Sequence, residues 1–501
     1  YYFTSHSFMR STHLLATLIA LVLVFLPVSL SATQPRLTVV VVVDGMTQDN
    51  LTKLRPYWSA GGLRTMSEEA FQTTVAFPHI VNGGQETTAT LMTGTTPSRH
   101  GMMSDLAFNR TYRTINYTLF DDQSSGIGTS LQLSPRAIAT STITDEWRIQ
   151  QGTQAKIYAI GLQPQATILM AGHAANACCW LDANNLKWAT TSFYSEGLPA
   201  AADAMNMSGR ISTLSEKTWT PRLDISMYTS PTKDERRRLF SYIPKKDLLH
   251  TPAANTLVIE MALGMQQTEK LGEDNIPDLL LLQLTTISPK APSDAIATAE
   301  QEDMYLGINQ DLGFLMEQLN HRIGKTNYQL LVVGRPMKGY SAQAYDMAGI
   351  AIQHFNIDRA AALTSTYLMA IYGHERWVDG GYGPFIYLNR TLIEQKRLSL
   401  ETIQRQVANF IMDFEGVQVA YPIHEAIRSE YSHSVYRKQA GDVFFQLQDH
   451  WVLDTNENTQ YDHVIQSAPT APLLLWSATL RTFPEKELDA TDVKSLIINN
   501  K

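Results

Sequence analysis

The stretch Arg36 to Met46 reads R-L-T-V-V-V-V-V-D-G-M and contains five consecutive valines, Val39 to Val43. Such a run is too short to cross a membrane, and its β-branched side chains disfavour a helix. It therefore predicts a strand that is buried on both faces of a parallel sheet. Asp44 and the flexible Gly45 follow, at the strand end where open α/β sheets bind ligands. We expect Asp44 either to lie where a metal ion or phosphate is held or to be the N-cap of a helix.

Length and composition limit the classes of protein. With 501 residues, 44% of them hydrophobic, the chain can bury a large core and form one elaborated α/β domain or two domains. It has 40 basic and 48 acidic residues, a formal net charge of −8. Because there is no excess of positive charge to attract a polyanion, we expect no nucleic-acid partner.

The first 32 residues have the composition of an export signal. Met9 and Arg10 precede an apolar run, Leu14 to Leu26, which is followed by Pro27 and small residues up to Ala32. This order predicts a secretory signal peptide, preceded by upstream residues, and thus a periplasmic or extracellular protein. The alternative is an uncleaved anchor, although the run is shorter than the ~20 residues of a spanning helix. We expect no stable membrane span after signal removal.

The remaining chain predicts one domain over residues 36–480 with a C-terminal tail, 481–501. Apolar strands at 279–284 and 328–333 flank a helical pattern at 297–320, and this order predicts a parallel sheet. Residues 182–251 are irregular in period and include the basic run Arg236 to Arg238, so we interpret them as an inserted cap. Ala166 to Gly172 also predicts a strand.

Two other groups of side chains are interpreted as structural. The two cysteines, Cys178 and Cys179, are adjacent, so a bond between them would be strained, and we expect two buried thiols. His79, His100 and His173 lie beside apolar segments, where isolated histidines are usually structural.

Three segments together resemble the alkaline phosphatase superfamily, and within it the secreted bacterial phosphomonoesterase branch related to nucleotide pyrophosphatase/phosphodiesterases. They are V-V-V-D-G-M ending at Met46, T-L-M-T-G-T-T-P-S-R-H-G from Thr90 to Gly101, and P-D-L-L-L-L-Q-L through E-D-M-Y-L-G to G-K-T-N-Y-Q-L-L-V-V. The resemblance implies a doubly wound α/β fold with a mostly parallel sheet flanked by helices. It also implies two zinc ions bridged by aspartates and histidines, and a threonine or serine nucleophile that attacks phosphorus.

The resemblance can be followed position by position. Asp44 matches the first zinc ligand of the family. The family's nucleophile precedes the Thr-Gly pair at Thr93 by nine residues, and this position is Gly84, which has no hydroxyl. Thr87 and Thr88 are nearby, but Thr87 would need a shift of three residues to replace it.

Further zinc ligands of the family correspond to residues that bind zinc poorly or not at all. The Asp and His after the second strand align with Ser288 and Pro292, and the Asp-His-Gly after the third strand aligns with Arg335, Pro336 and Met337. A fixed arginine in a zinc site would oppose metal binding.

The remaining positions of the family pattern are changed too. The phosphate-contacting Asn corresponds to Asp105, and the Lys and Arg of a K-x-R pattern correspond to Gln163 and Gln165, which lowers the preference for a phosphate dianion. The last His ligand aligns with Tyr461, and His463 reaches that position only with a two-residue gap.

The substitutions favour an exported pseudo-phosphatase that has lost its zinc site, needs no cofactor and binds an unidentified ligand or protein partner. The alternative is an active phosphate or sulfate ester hydrolase that uses zinc and has a rebuilt site. Asp44 would then be a remaining metal ligand, His463 a doubtful second one, and Thr87 or Thr88 the nucleophile. A third hypothesis is a metal-free pocket in which Arg335 binds an anion. The candidate ligand-binding residues are Asp105, Gln163, Gln165 and Arg335.

Overall fold

The structure is a computed structural model that describes residues 34–228, 243, 245–288, 299–337, 351–449, 451–454, 466–467, 469–479 and 488–499. The described residues from Pro35 onward form one compact unit. Within these residues, no helix has the length and apolar character that a membrane span requires. The predicted signal peptide and the basic run Arg236 to Arg238 lie outside the described residues.

Strands and helices are interspersed along the chain. The strands are β1 Leu37–Asp44, β2 Phe71–Ala76, β3 Ile80–Val81, β4 Leu106–Asn109, β5 Thr114–Tyr117, β6 Gly126–Ile127, β7 Ile157–Gly161, β8 Ala177–Leu181, β9 Trp188–Thr191, β10 Asp278–Thr285, β11 Tyr328–Arg335, β12 Gln353–Asn356, β13 Val378–Tyr382, β14 Phe385–Leu388, β15 Val417–Pro422, β16 Val443–Leu447, β17 Trp451–Asp454, β18 Gln466–Ser467, β19 Thr470–Ser477 and β20 Leu488–Asp489. The helices are α1 Gln48–Leu54, α2 Gly62–Glu69, α3 Gln85–Thr93, α4 Pro97–His100, α5 Ile143–Gln151, α6 Pro164–Ala171, α7 Ala200–Met207, α8 Arg210–Glu216, α9 Pro252–Glu269, α10 Ala299–Arg322, α11 Ile357–Tyr372, α12 Arg390–Gln395, α13 Leu400–Met412, α14 Ile423–Ala426 and α15 Val493–Asn499.

The large central sheet has ten strands in the order β20-β2-β19-β11-β1-β10-β7-β8-β9-β6. Its middle five strands, β11, β1, β10, β7 and β8, are all parallel, and antiparallel β19 and β9 flank them. β10, α10 and β11 form the predicted strand-helix-strand unit, with β1 between the two strands. The structure therefore confirms the predicted mostly parallel α/β sheet.

β1 is the central strand that the valine run predicts. All eight of its residues are buried. Val39, Val41 and Val43 pack into the core on one face of the sheet, and Val40 and Val42 pack into the core on the other. Burying a valine side chain fully contributes roughly 1.5–3 kcal/mol to the free energy of folding. Because both faces of the strand are buried, every position of the valine run benefits from an apolar residue.

A second, four-stranded sheet has the order β13-β14-β16-β15 and its own hydrophobic core. Helices α11 and α13 pack against it, and the ring of Tyr367 on α11 stacks on that of Phe410 on α13 at 4.4 Å between centroids. Phe108 of the β4–β5 hairpin contacts Tyr387 of this sheet, with 4.4 Å between ring centroids. The hairpin therefore joins the second sheet to the segment that contains Asp105.

Three segments differ from their predicted structures. Residues 166–171 belong to helix α6, so the predicted strand is wrong. The helix is buried on all sides from Gln165 to Ala171, so its sequence does not alternate between apolar and polar residues. Without such a periodicity, a short apolar segment cannot be assigned to a helix or to a strand. The predicted cap, 182–251, begins with β9, which lies in the central sheet, while β20 and α15 of the predicted tail pack into the domain.

Candidate functional site: a buried ion pair at the end of the central strand

Asp44 and Arg335 end two neighbouring parallel strands, β1 and β11, in the same register. Asp44 Oδ1 lies 2.7 Å from Arg335 Nε, and neither side chain is exposed to solvent (0% each). The arginine cation therefore lies directly against the carboxylate that the family resemblance assigns to zinc.

The other nitrogens of the Arg335 guanidinium also contact protein acceptors. Nη1 donates to Thr88 Oγ1 at 2.7 Å and to the Gly84 carbonyl at 3.2 Å, and Nη2 donates to Gln163 Oε1 at 3.0 Å. Each nitrogen of the Arg335 guanidinium thus lies next to a protein oxygen, through hydrogen bonds at Nη1 and Nη2 and an ion pair at Nε. This burial disfavours the hypothesis that Arg335 presents its charge to an anion in a metal-free pocket.

Gln283 holds the other oxygen of Asp44, a contact that the sequence analysis missed. Its Nε2 donates to Asp44 Oδ2 at 2.6 Å, while its Oε1 accepts from the backbone N–H groups of Leu162 and Gln163 at 2.7 and 2.8 Å. Gln283 is the one amide in the apolar run of β10. Because buried polar groups are usually hydrogen-bonded, an isolated glutamine in such a strand indicates a buried polar partner, and this feature could have predicted the contact.

The turn after β1 is fixed by a residue of the E-D-M-Y-L-G segment. The Tyr305 hydroxyl donates to the Gly45 carbonyl at 3.2 Å and accepts from the backbone N–H of Thr47 at 2.9 Å. Tyr305 therefore fixes the direction in which the chain leaves Asp44.

The residues around Asp44 do not fit a zinc ion. Burial raises the pKa of the Asp44 carboxyl, and the adjacent Arg335 cation opposes that rise. Ser288, at a zinc-ligand position of the family, is buried and offers only a hydroxyl. No group of at least three His, Cys, Asp or Glu able to hold a metal occurs among the described residues, whereas zinc usually has about three or more protein ligands. Pro292, Tyr461 and His463 lie outside the described residues.

Protein carboxylates occupy the N-terminus of α3, where a helix attracts anions. Glu86 accepts hydrogen bonds from the backbone N–H groups of Asn82, of Gly83 at 2.9 Å and of Gly84 at 3.1 Å. Burial and the charge of Asp105 raise the pKa of Glu86 to about 7. The amides around Gly84 are therefore already bound by an acidic side chain of the same chain.

Gly84, the position of the family's nucleophile, has a backbone that favours glycine. Its φ of +132° is rarely adopted by residues with a side chain, and an added Cβ would lie 2.9 Å from Met337 Sδ. Met337 aligns with the glycine of the family's Asp-His-Gly segment. The two substitutions are therefore linked in space, because the methionine sulfur lies where a nucleophilic side chain would begin.

The hydroxyls of Thr87 and Thr88 are buried at 0% exposure and hydrogen-bonded within the protein. Thr87 Oγ1 lies 2.6 Å from the Gly84 carbonyl and 3.0 Å from the Pro336 carbonyl, to which it can donate, and Thr88 Oγ1 accepts from Arg335. Both hydroxyls are thus engaged within α3 and its contacts, which disfavours either of them as the nucleophile.

Gln165 and Asp105 stabilise the segment beside the helix N-terminus. Gln165 Nε2 donates to the Asp105 carbonyl at 2.8 Å, and Gln165 Oε1 accepts from the Leu119 N–H at 3.0 Å. Asp105 Oδ1 accepts from the Gln85 N–H at 3.2 Å. The predicted ligand-binding residues Asp105, Gln163, Gln165 and Arg335 therefore lie near one another, and each has a protein hydrogen-bond or charge partner.

The buried histidines lie behind α3. His79 Nε2 is 2.8 Å and His100 Nε2 is 3.2 Å from the hydroxyl of Thr90, and His79 Nδ1 lies 2.9 Å from the Ile80 carbonyl. Burial lowers the pKa of both, to about 4 for His79, so they are neutral at pH 7. His173 instead pairs with Asp145 at 2.9 Å. These contacts are those of structural histidines.

The fold and the order of these positions define an α/β protein with the alkaline phosphatase architecture. The sequence profile of the type I phosphodiesterase / nucleotide pyrophosphatase family matches residues 38–468, and the chain belongs to this family. Among solved structures, the alkaline phosphatase PafA superposes with a TM-score of 0.81 at 20% identity, covering 93% of this chain and 96% of that one. A phosphonoacetate hydrolase from Sinorhizobium meliloti superposes with a TM-score of 0.54 at 12% identity, covering 93% and 96% of the two chains.

The similar characterised sequences include alkaline phosphatases. PafA from Elizabethkingia meningoseptica is 23% identical over 445 residues, which are 82% of this chain and 81% of that protein. PhoV from Synechococcus elongatus is 24% identical over 323 residues, 60% of this chain and 58% of that protein. These relatives confirm the family resemblance that the three sequence segments carry.

Proposed function

We propose that this protein is an exported, non-catalytic member of its family, a pseudo-phosphatase whose scaffold binds a ligand or a protein partner. The observation that carries the proposal is the Asp44–Arg335 contact, in which a buried guanidinium lies against the one carboxylate that matches a family zinc ligand. A zinc ion next to Asp44 would have to displace or repel this cation.

The side chains at these positions already occupy the places of bound ions, which supports the proposal. Arg335 supplies positive charge from within the chain next to Asp44, and the Glu86 carboxyl accepts hydrogen bonds at the helix N-terminus where a phosphate oxygen would accept them. A chain that carries its own cation and its own hydrogen-bond acceptor in these places has less to gain from binding zinc and phosphate there.

The alternative is a metal-dependent phosphate or sulfate ester hydrolase with a rebuilt site. It rests on the retained Asp44 and on the hydroxyls of Thr87 and Thr88. Because both hydroxyls are buried and Thr88 accepts a hydrogen bond from Arg335, a nucleophile at either position would require α3 to rearrange. We therefore favour the non-catalytic function, with zinc as cofactor only in the alternative.

Zinc binding and ester hydrolysis of the purified mature chain test the proposal. Equilibrium dialysis against zinc followed by elemental analysis should give well under one equivalent per chain. Turnover of 4-nitrophenyl phosphate, bis-4-nitrophenyl phosphate and 4-nitrophenyl sulfate should equal that of the Asp44→Ala variant. PafA from Elizabethkingia, prepared in parallel, controls for loss of metal during purification. Zinc near two equivalents, together with turnover that Asp44→Ala abolishes, would disprove the non-catalytic function.

Export can be tested separately. When the full chain is expressed in a Gram-negative host, mass spectrometry of the N-terminus should find a mature form that begins shortly after Ala32, in the periplasmic or culture fraction. Recovery of an uncleaved chain in the membrane fraction would favour the anchor alternative.

A further inference from the structure

The outer face of helix α11 is exposed but has no charged side chain over most of its length. Residues 360–373 contain no Asp, Glu, Lys, Arg or His, so Arg359 and His374 are the nearest such residues on either side. Leu363 and Ile371 are 42% and 47% exposed. Because the outer face of a surface helix is normally charged or polar, a continuous apolar face of this kind indicates an interaction surface.

The neighbouring helix α13 shows the ordinary pattern. Its exposed residues include Glu401 and Arg405, whose charged groups lie 3.7 Å apart. α11 also has a buried side, with Ile357, Ala360 and Leu368 in the core of the second sheet. The exposed apolar residues of α11 are therefore additional to those that the fold itself uses.

The exposed residues of α11 form two adjacent rows in which successive members are four positions apart and so lie on one face of the helix. The members of the first row are small and exposed: Ala362, Thr366 and Ala370. The members of the second row are large and partly or largely exposed: Leu363, Tyr367 and Ile371. Small side chains let a second helix approach closely, and the large side chains beside them supply apolar contact area. We call these six residues the α11 surface.

Contacts with α13 hold the α11 surface in place. The ring of Tyr367 stacks on that of Phe410, and the Tyr372 hydroxyl donates to Gln406 Oε1 at 2.7 Å. Met412 of α13, which is 43% exposed, is a further exposed apolar residue on the neighbouring helix. The surface is thus preformed, which lowers the entropic cost of association.

The α11 surface is complementary to itself when two copies of the helix run antiparallel. In each row, the two outer residues lie four positions before and four positions after the central residue, which is Thr366 or Tyr367. A two-fold axis beside these central residues therefore places small side chains against small ones and large side chains against large ones. Such an interface uses the same surface of both copies and closes as a dimer.

The charges at the two ends of the α11 surface favour the same arrangement. Arg359 and Glu375 lie eight residues before and eight residues after Tyr367. Arg359 is exposed and takes part in no ion pair with a described residue, whereas Glu375 is 44% exposed and pairs with Lys396 at 2.9 Å. An antiparallel pair brings Arg359 of each copy towards Glu375 of the other, but a parallel pair would bring the two Arg359 side chains together.

We propose that two copies of this chain associate through the α11 surface, with their α11 helices antiparallel about a two-fold axis. A surface without cations gives a polyanion or an anionic membrane no charge to bind, whereas a second copy matches it in side-chain size and in end charge. The surface belongs to the second sheet and its helices, so the proposal does not depend on the Asp44–Arg335 centre.

Sedimentation velocity of the full mature chain tests the proposal at about 0.15 M salt, where charges more than about 8 Å apart are largely screened. Loading concentrations from about 1 to about 200 μM should show a reversible monomer–dimer equilibrium, since a surface of this size is typical of weak complexes. Thr366→Arg should weaken the dimer at least about ten-fold, because it places two cations face to face at the two-fold axis.

Thr213→Arg is the matched control. Thr366 and Thr213 are both exposed helical threonines, and each hydroxyl donates at 3.1 Å to the carbonyl four residues earlier, that of Ala362 or Gly209. Thr213→Arg should leave the dimer unchanged, and equal melting temperatures of the two variants would exclude loss of fold as the cause.

Charge reversal tests the antiparallel arrangement. Arg359→Glu and Glu375→Arg should each weaken the dimer by about two- to five-fold, as expected for an exposed ion pair, and the double variant should recover the loss. A double variant that dimerises no better than the single variants would overturn the antiparallel arrangement. A chain that stays monomeric at every concentration, or a dimer that Thr366→Arg leaves unchanged, would overturn the proposal. So would a monomeric chain that binds phosphatidylcholine vesicles and loses this binding in Thr366→Arg.

Discussion

Asp44 and Asp442 are both fully buried carboxylates neutralised by arginine, but their arginines differ in exposure. Asp44 contacts one arginine, Arg335, whose side chain has no exposed surface. Asp442, directly before β16, contacts Arg110 at 2.9 Å and Arg390 at 2.7 Å, whose side chains are 27% and 43% exposed. Arg110 also lies over the ring of Tyr387, with 4.8 Å to the centroid.

The difference shows how one type of contact has two physical roles. The Asp442 arginines reach inward from the surface, so they keep part of their hydration and join the β4–β5 hairpin and α12 to the second sheet. Arg335 has exchanged all its hydration for protein acceptors, and the desolvation cost of such a pair is large. The pair at the end of the central strand is therefore held by mutual neutralisation in the absence of water, whereas the Asp442 cluster remains partly hydrated.

Arg335→Ala should have the largest effect on stability. It leaves the Asp44 carboxylate buried without its counter-charge, which typically costs about 3–5 kcal/mol. Urea denaturation monitored by tryptophan fluorescence would measure the loss. The double variant Asp44→Asn/Arg335→Met should recover much of it, because both charges are then removed. A loss below about 1 kcal/mol for Arg335→Ala would contradict the comparison, since that is the range of exposed pairs.

Glu86 should make stability depend on pH. Its folded-state pKa of about 7 lies above the ordinary value of 4.5, so the folded protein holds this proton more tightly than the unfolded chain. The resulting stabilisation, about 3 kcal/mol, is fully present below pH 4.5 and is lost as the pH rises through 7. Denaturation between pH 4.5 and 8 should show this slope in the wild type and a smaller one in Glu86→Gln. Parallel slopes in the two proteins would be inconsistent with this assignment.

Gly84→Thr tests whether a hydroxyl at the position that aligns with the family's nucleophile produces ester turnover. We expect no gain of ester turnover and a loss of about 1–3 kcal/mol, because a side chain at a φ of +132° is strained and its Cβ would approach Met337. Gly152→Thr is the control, since Gly152 has a φ of +86° and no heavy atom within 4 Å of an added Cβ. Zinc-dependent turnover in Gly84→Thr would show that the buried pair does not exclude metal.

Arg390→Ala should have the smallest effect. Asp442 would still accept from Arg110, from the Leu388 N–H at 2.8 Å and from Gln404 Nε2 at 3.1 Å. With 43% of the Arg390 side chain exposed, its pair with Asp442 should contribute about 0–1 kcal/mol. The same urea denaturation measures it, and a loss as large as that of Arg335→Ala would remove the distinction between the two centres.

Strand and helix positions marked by β-branched composition or by a clear period were predictable, whereas buried polar partners were not. The valine run and the strand-helix-strand order at 279–333 follow from short-range patterns, and both are confirmed. α6 was mistaken for a strand because a segment buried on all sides has no amphipathic period. Gln283 and Glu86 were missed because their partners are set by chain folding, and neither forms a sequence motif.

The sequence by itself determined the family, the central strand and the residues that align with the family's site positions. Only the tertiary structure decided what those residues do, because a hydrogen bond or ion pair needs two groups brought within about 3 Å. Asp44 and Arg335 are far apart in the chain, and they meet because β1 and β11 are paired in parallel register. Burial at that position then makes each charge dependent on the other, since neither can be hydrated by water.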